Sequence, residues 1–174
     1  RMCCLSEVVG NNARFKPLMW SHYGDKHKGI CIKYRIDNET IAAHNYGDHV
    51  ILMKKVPYRE NKLMSDYITL ENALSAKASC WSYENEYRLI YYTKNSLELK
   101  GIDGKSKDFI SIPGFVVESV TLGCCISKEH KDAVMRAAEI NDVPVYQAKF
   151  RDDDITKIIE YPLKRQSNIM RVKR

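Results

Sequence analysis

The stretch Lys77-Ala-Ser-Cys-Trp-Ser-Tyr-Glu-Asn-Glu-Tyr-Arg-Leu-Ile-Tyr-Tyr92 constrains this chain more than any other. Glu84, Glu86 and Arg88 recur with period two, which places them on one face of a predicted strand. The strand continues as Leu89-Ile90-Tyr91-Tyr92 into a core, so its charged opening lies where a sheet meets solvent and a cleft forms. Carboxylates on alternate strand residues have Cα atoms about 7 Å apart, near enough for both to engage one polar ligand. A plainer reading, a sheet edge with a cross-strand ion pair, is favoured on this segment alone.

The preceding residues, Thr69 to Trp81, read as an amphipathic helix with Leu70, Ala73, Leu74, Ala78 and Trp81 on one face. Lys77 falls one turn before Trp81 and points toward the same region as the acids. Earlier in the chain, Lys16 to Gly29 contains Trp20, His22 and Tyr23, with Pro17 suited to the first turn of a short helix and Gly24 or Gly29 to its end. A histidine between two aromatics can hydrogen-bond a ribose or phosphate and flank a flat ring. A half-buried helix supporting the core explains it equally well.

Strands are expected at Cys3 to Glu7, Ile30 to Tyr34, Val50 to Val56, Phe115 to Leu122, Val143 to Phe150 and Ile158 to Leu163. Gly10 to Asn12 reads as a loop, a brief helix capped by Asp37 runs to about His44, and Lys94 to Lys107 reads as a hairpin-like loop. A helix capped by Ser127, with Glu129 near its positive end and Val134, Ala137 and Ala138 inward, stops near Asn141. The predicted fold class is α+β, a mixed and mostly antiparallel sheet with a few flanking helices. At 174 residues the chain suits one domain, 1–163, followed by a basic tail, 164–174.

That tail matters for the charge. Lys164, Arg165, Arg171, Lys173 and Arg174 account for five of the net +6, leaving the body near +1. A solvated end is the usual meaning of such a tail; an arm that finds nucleic acid through these five residues is the lesser reading. No apolar run suits a membrane span, and no secretion signal opens the sequence. Six cysteines without Cys-x-x-Cys spacing are expected as free thiols, buried within strands, in a cytoplasmic protein. Histidine spacings of five suit no metal site, so no metal is expected. The phosphate-loop, dinucleotide-fold and zinc-protease motifs are all absent.

Cys4-Leu-Ser-Glu7, Leu18-Met-Trp-Ser-His-Tyr-Gly-Asp-Lys-His-Lys-Gly-Ile-Cys-Ile32, Lys77 with Trp81-Ser-Tyr-Glu-Asn-Glu-Tyr-Arg88, and Val120-Thr-Leu-Gly123 resemble the bacterial domain-of-unknown-function family 2971 over nearly the whole chain. The Phe-Asn-Asp-Pro-type motif that usually precedes these elements is missing, and the resemblance implies a chain lacking an N-terminal part. A second, architectural resemblance is to DNA-targeting ADP-ribosyltransferase toxins, carried by Glu84-Asn-Glu86 followed by the Phe115 to Leu122 strand. It implies NAD as cofactor, Glu86 stabilising the oxocarbenium ion and Glu84 serving the acceptor. Trp20, His22 and Tyr23 would then line the cofactor pocket, with Lys77, Trp81 and Arg88 among the ligand-binding residues. The competing expectation is a non-enzymatic module that grips a nucleotide or a partner in stress or phage defence.

Overall fold

In the computed structural model of the protein, residues 2–7, 17–37, 39, 49–60, 77–93, 114–154 and 157–163 are described. They form an α+β fold with mostly antiparallel sheets and flanking helices. The chain divides into two compact units, Arg1–Arg14 with Arg35–Val116 and Phe15–Tyr34 with Val117–Arg174.

The first unit holds a three-stranded sheet in the order β1 (Met2–Ser6), β6 (Glu86–Thr93), β3 (His49–Lys55). Both neighbours run antiparallel to β6, with Leu89 opposite Cys3 and Met53, and Arg88 opposite Cys4 and Lys54. Alternation along β6 sends its residues to opposite faces. Leu89 and Tyr91 pack with Ile51 in a buried cluster joined by Ile36, Met53 and Phe115. Glu86 and Arg88 open the other face. Two short strands, β4 (Tyr58–Arg59) and β5 (Lys77–Ala78), pair in parallel with Tyr58 opposite Lys77.

A second sheet, in the order β2 (Ile30–Ile36), β7 (Phe115–Leu122), β8 (Val145–Phe150), β9 (Ile158–Pro162), belongs to the second unit except for the ends of β2 and β7 at Arg35–Ile36 and Phe115–Val116. Strands β7 and β8 are parallel, so the chain must cross back between them. It does so through α2 (Lys128–Ile140), whose Val134, Met135 and Ala138 pack on Val120, Leu122 and Val145. Leu122 is fully buried, and burial of such a side chain contributes roughly 1.5–3 kcal/mol. The return from β8 to the antiparallel β9 passes the polar turn at Arg151, which pairs with Asp153. Helix α1 (Pro17–Tyr23) places Trp20 against Ala148 and Ile158.

Helix α2 begins where the sequence placed its cap: the Ser127 hydroxyl accepts the His130 N–H at 3.2 Å. Ser127→Ala is expected to cost about 1 kcal/mol of stability, read as a lower urea midpoint at unchanged slope. Asn141 ends the helix, its side-chain amide donating to the Ala137 carbonyl at 2.8 Å. Ala137 itself is exposed; Met135 takes the inward place instead.

Two further expectations require correction. The helix expected to end at Trp81 does not reach it: Lys77 and Ala78 are a strand, and Ser79–Glu84 is a 3₁₀ helix. Lys77 is instead tied to the β4 segment, where the Pro57 carbonyl accepts its N–H at 3.2 Å, a tertiary pairing that outweighs local helix propensity. The cysteines are all free, but Cys3, Cys4, Cys80 and Cys125 are exposed rather than buried. For Cys3 and Cys4 the reason is that β1 is an outer strand of its sheet. The expected loop at 10–12, the helix from Asp37 beyond residue 39, the helical stretch 69–76, the loop 94–107 and the basic tail lie outside the described residues.

Candidate functional site

The charged residues singled out in the sequence converge within the first unit. After β5 the chain enters the 3₁₀ helix and leaves it at Asn85, whose φ of 45° and ψ of 54° are left-handed, a region asparagine enters more readily than most residues. The turn is held from both sides. The Asn85 N–H donates to the Ser82 carbonyl at 3.2 Å, its own carbonyl accepts the Glu7 N–H at 2.9 Å, and its side-chain amide donates to Glu7 Oε2 at 3.1 Å.

This reversal brings Glu84 and Glu86 to one ammonium group. Lys77 Nζ donates to Glu84 Oε2 in a short contact and to Glu86 Oε2 at 3.1 Å. Arg88 Nε donates to Glu86 Oε1 at 2.8 Å, and its Nη2 reaches Glu86 Oε2 at 3.5 Å. The Glu86 backbone N–H donates to the Tyr58 hydroxyl at 2.7 Å. Lys77 Nζ also lies 5.1 Å from the centre of the Trp81 ring, a cation–π distance. Glu84 and Glu86 are each only 3 % exposed, while the Arg88 and Lys77 side chains are 13 % and 21 % exposed. Two positive and two negative groups share the space, so the cluster is neutral as a whole.

The electrostatics follow from that arrangement. Burial alone would raise the Glu86 carboxyl; hydrogen bonds from Arg88, the Cys4 thiol and Lys77 outweigh it and hold the group at about 2. Burial likewise disfavours the Lys77 ammonium, yet its bonds to Glu84 and Glu86 lift it above the ordinary lysine value. Cys4 is pushed up to about 11 by desolvation, then by its hydrogen bond to Glu86 and that carboxylate's charge. The Cys4 residue is exposed on β1, but its sulfur stays a protonated donor beside an anion. A thiol in that state is a poor nucleophile.

Glu86, Glu84, Lys77, Trp81 and Arg88 are thus brought together. Trp20, His22 and Tyr23 belong to the second unit: Trp20 is buried in its core, and His22 and Tyr23 are exposed, their rings edge to face with centres 6.2 Å apart. Two partners of Glu86, Tyr58 and Cys4, escaped the sequence reading. Cys4 was within reach of strand register, since it lies opposite Arg88. Tyr58 depends on the two-residue parallel bridge to Lys77, for which the sequence carries no periodic signal. Among the described residues no group of three or more His, Cys, Asp or Glu is placed to hold a metal ion. No helix among them is long and apolar enough to cross a membrane.

The fold and the buried four-charge cluster define an α+β protein with an internal ion network in its first unit. The family model described as "Protein of unknown function (DUF2971)" matches residues 19–89. That span contains every candidate site residue, from Trp20 to Arg88, and is shorter than the near-complete resemblance expected from the sequence. No curated protein and no solved structure matches the chain.

Proposed function

We propose that this protein is a non-enzymatic module that binds a nucleotide or a partner, and that its charged cluster is a permanent brace inside the first unit. The observation supporting this reading is the commitment of Glu86: both carboxylate oxygens are occupied by Arg88 and Lys77, and the residue is almost closed to solvent. A carboxylate that stabilises an oxocarbenium ion must face the sugar it serves. Here the charge is already neutralised by two cations.

The second reading is NAD-dependent ADP-ribosyl transfer with Glu86 at the ribose and Glu84 at the acceptor. It is favoured by the convergence of the two acids on Lys77. Glu86→Gln separates the two. Under the binding-module reading, wild-type protein releases no nicotinamide from NAD, and the substitution changes stability instead. Nicotinamide release that Glu86→Gln abolishes sinks that reading.

The stability effect has a defined pH window. The Glu86 carboxyl is held at about 2, below its ordinary 4.5. Its stabilisation is therefore fully present above the ordinary value and is lost as pH falls toward the depressed one, an effect on the order of 3 kcal/mol. Urea unfolding of wild type between about pH 6 and about pH 3 is expected to show this acid loss, and Glu86→Gln to show a shallower one. Equal acid slopes for the two proteins count against a brace role for Glu86.

A further inference from the structure

The second unit carries a groove of about 830 Å³ that lies outside the matched span 19–89. Its lining mixes apolar residues, among them Ala148, Ile126 and Leu163, with a lopsided set of charges: Lys128, Lys131 and Lys149 against the single acid Asp132. The lysines come from two elements. Lys128 and Lys131 are one turn apart at the start of α2, and Lys149 stands on β8. Two of them are held in place, Lys131 Nζ by Gln147 Oε1 at 3.5 Å and Lys149 Nζ at 5.1 Å from the centre of the Tyr161 ring. The Gln147 amide is in turn anchored to the Gly123 carbonyl at 2.9 Å. Tyr161 and Phe150, both lining the groove, are large aromatics left exposed.

We propose that this groove is a binding site for a nucleoside phosphate, with the lysines on the phosphates and an exposed aromatic ring on the base. The volume falls within the range of small-ligand sites, whose common form is an apolar floor with a few placed polar groups. Lysine ammoniums act as point charges for phosphate oxygens. Base stacking on tyrosine or phenylalanine is tolerant of base identity because each base presents a π-face. The positive end of α2 adds to a charge that the three lysines already supply. An inorganic anion would use the lysines and leave the aromatic side idle; a nucleotide uses both. The site is distinct from the charged cluster of the first unit, and its occupancy does not depend on whether Glu86 is catalytic.

Calorimetric titration of the full chain with ATP, with pyrophosphate and with a single-stranded oligothymidylate tests the assignment. ATP is expected to bind more tightly than pyrophosphate. Lys131→Ala and Lys149→Ala are each expected to weaken ATP by about tenfold, and Tyr161→Ala to weaken ATP while sparing pyrophosphate. Binding of the oligonucleotide at least about tenfold tighter than ATP, with the same lysine dependence, identifies the phosphates as those of a nucleic-acid strand. No binding by any of the three probes overturns the proposal. So does binding that the Lys131→Ala, Lys149→Ala double substitution leaves unchanged while circular dichroism shows the fold intact. The readouts for the first unit, the absence of nicotinamide release and the acid dependence of unfolding set by Glu86, do not involve these groove residues, so the two readings fail separately.

Discussion

Arg88→Leu is expected to destabilise the protein by about 3 kcal/mol or more, because it strands a buried carboxylate. In the wild type, Arg88 Nε donates to Glu86 Oε1 at 2.8 Å, the shorter of the two contacts that the guanidinium makes with this carboxylate. Lys77 remains on Oε2 at 3.1 Å, but it is shared with Glu84. Removing the guanidinium turns a neutral group of four charges into a net anion of three. Leucine fits the volume of the arginine stem and leaves the apolar packing nearly unchanged, so the loss reports the charge. The pairing of Glu86→Gln with Arg88→Leu sharpens the result: with both charges gone, much of the single-mutant loss should return, since replacing a buried pair is far less costly than breaking it. Urea unfolding followed by far-ultraviolet circular dichroism measures all three variants. A loss below about 1 kcal/mol for Arg88→Leu would place the pair in the range of solvated surface bridges and remove the basis for a brace.

That cluster shows what this sequence discloses and what it withholds. Period two placed Glu86 and Arg88 on one strand face, and the register agrees, because β6 is a regular strand with a one-sided apolar cluster of Leu89, Tyr91 and Ile51. Glu84 was assigned to the same face by the same count, and it does meet Glu86 at Lys77, though by a different route. It ends a 3₁₀ helix, and the left-handed Asn85 does what two strand residues were expected to do. Lys77 and Trp81 were expected as neighbours on a helix; they are neighbours across a strand and a 3₁₀ turn. Spacing of four residues brings side chains together in more than one backbone form. In the second unit, runs rich in β-branched and aromatic residues gave the strands at Ile30, Phe115, Val145 and Ile158, and the Ser127 cap gave α2, since these signals are local. The lysine groove left no signal, because Lys128, Lys131 and Lys149 meet only once β7, α2 and β8 are folded as one crossover.

Gly123→Ala is expected to destabilise the second unit by about 3 kcal/mol, the upper range for overpacking, because nothing at this position can yield cheaply. A Cβ built on Gly123 would lie 2.1 Å from the His27 carbonyl oxygen, 2.7 Å from the His27 carbonyl carbon and 2.9 Å from the Gly29 oxygen. All three are backbone atoms, so no side-chain rotation relieves the contact. The same close approach carries two hydrogen bonds, Gly123 N–H to the Gly29 carbonyl and Cys125 N–H to the His27 carbonyl, both at 2.9 Å. Opening the gap for a methyl group breaks or stretches them. The opposing segment has little freedom to retreat, since Asp25, Lys26 and His27 are consecutive left-handed residues with φ of 46°, 52° and 68°, a conformation costly for L-residues unless their surroundings hold it. Two segments quoted for the family resemblance, Leu18 to Ile32 and Val120 to Gly123, meet at this contact, which gives those glycines a steric reason. Of the two tryptophans, Trp20 lies in the core of the second unit and Trp81 in the first. Trp20 fluorescence in a Trp81→Phe background therefore reads the loss directly. A Gly123→Ala protein whose Trp20 transition stays within about 0.5 kcal/mol of its parent would show that the two segments do not touch as described.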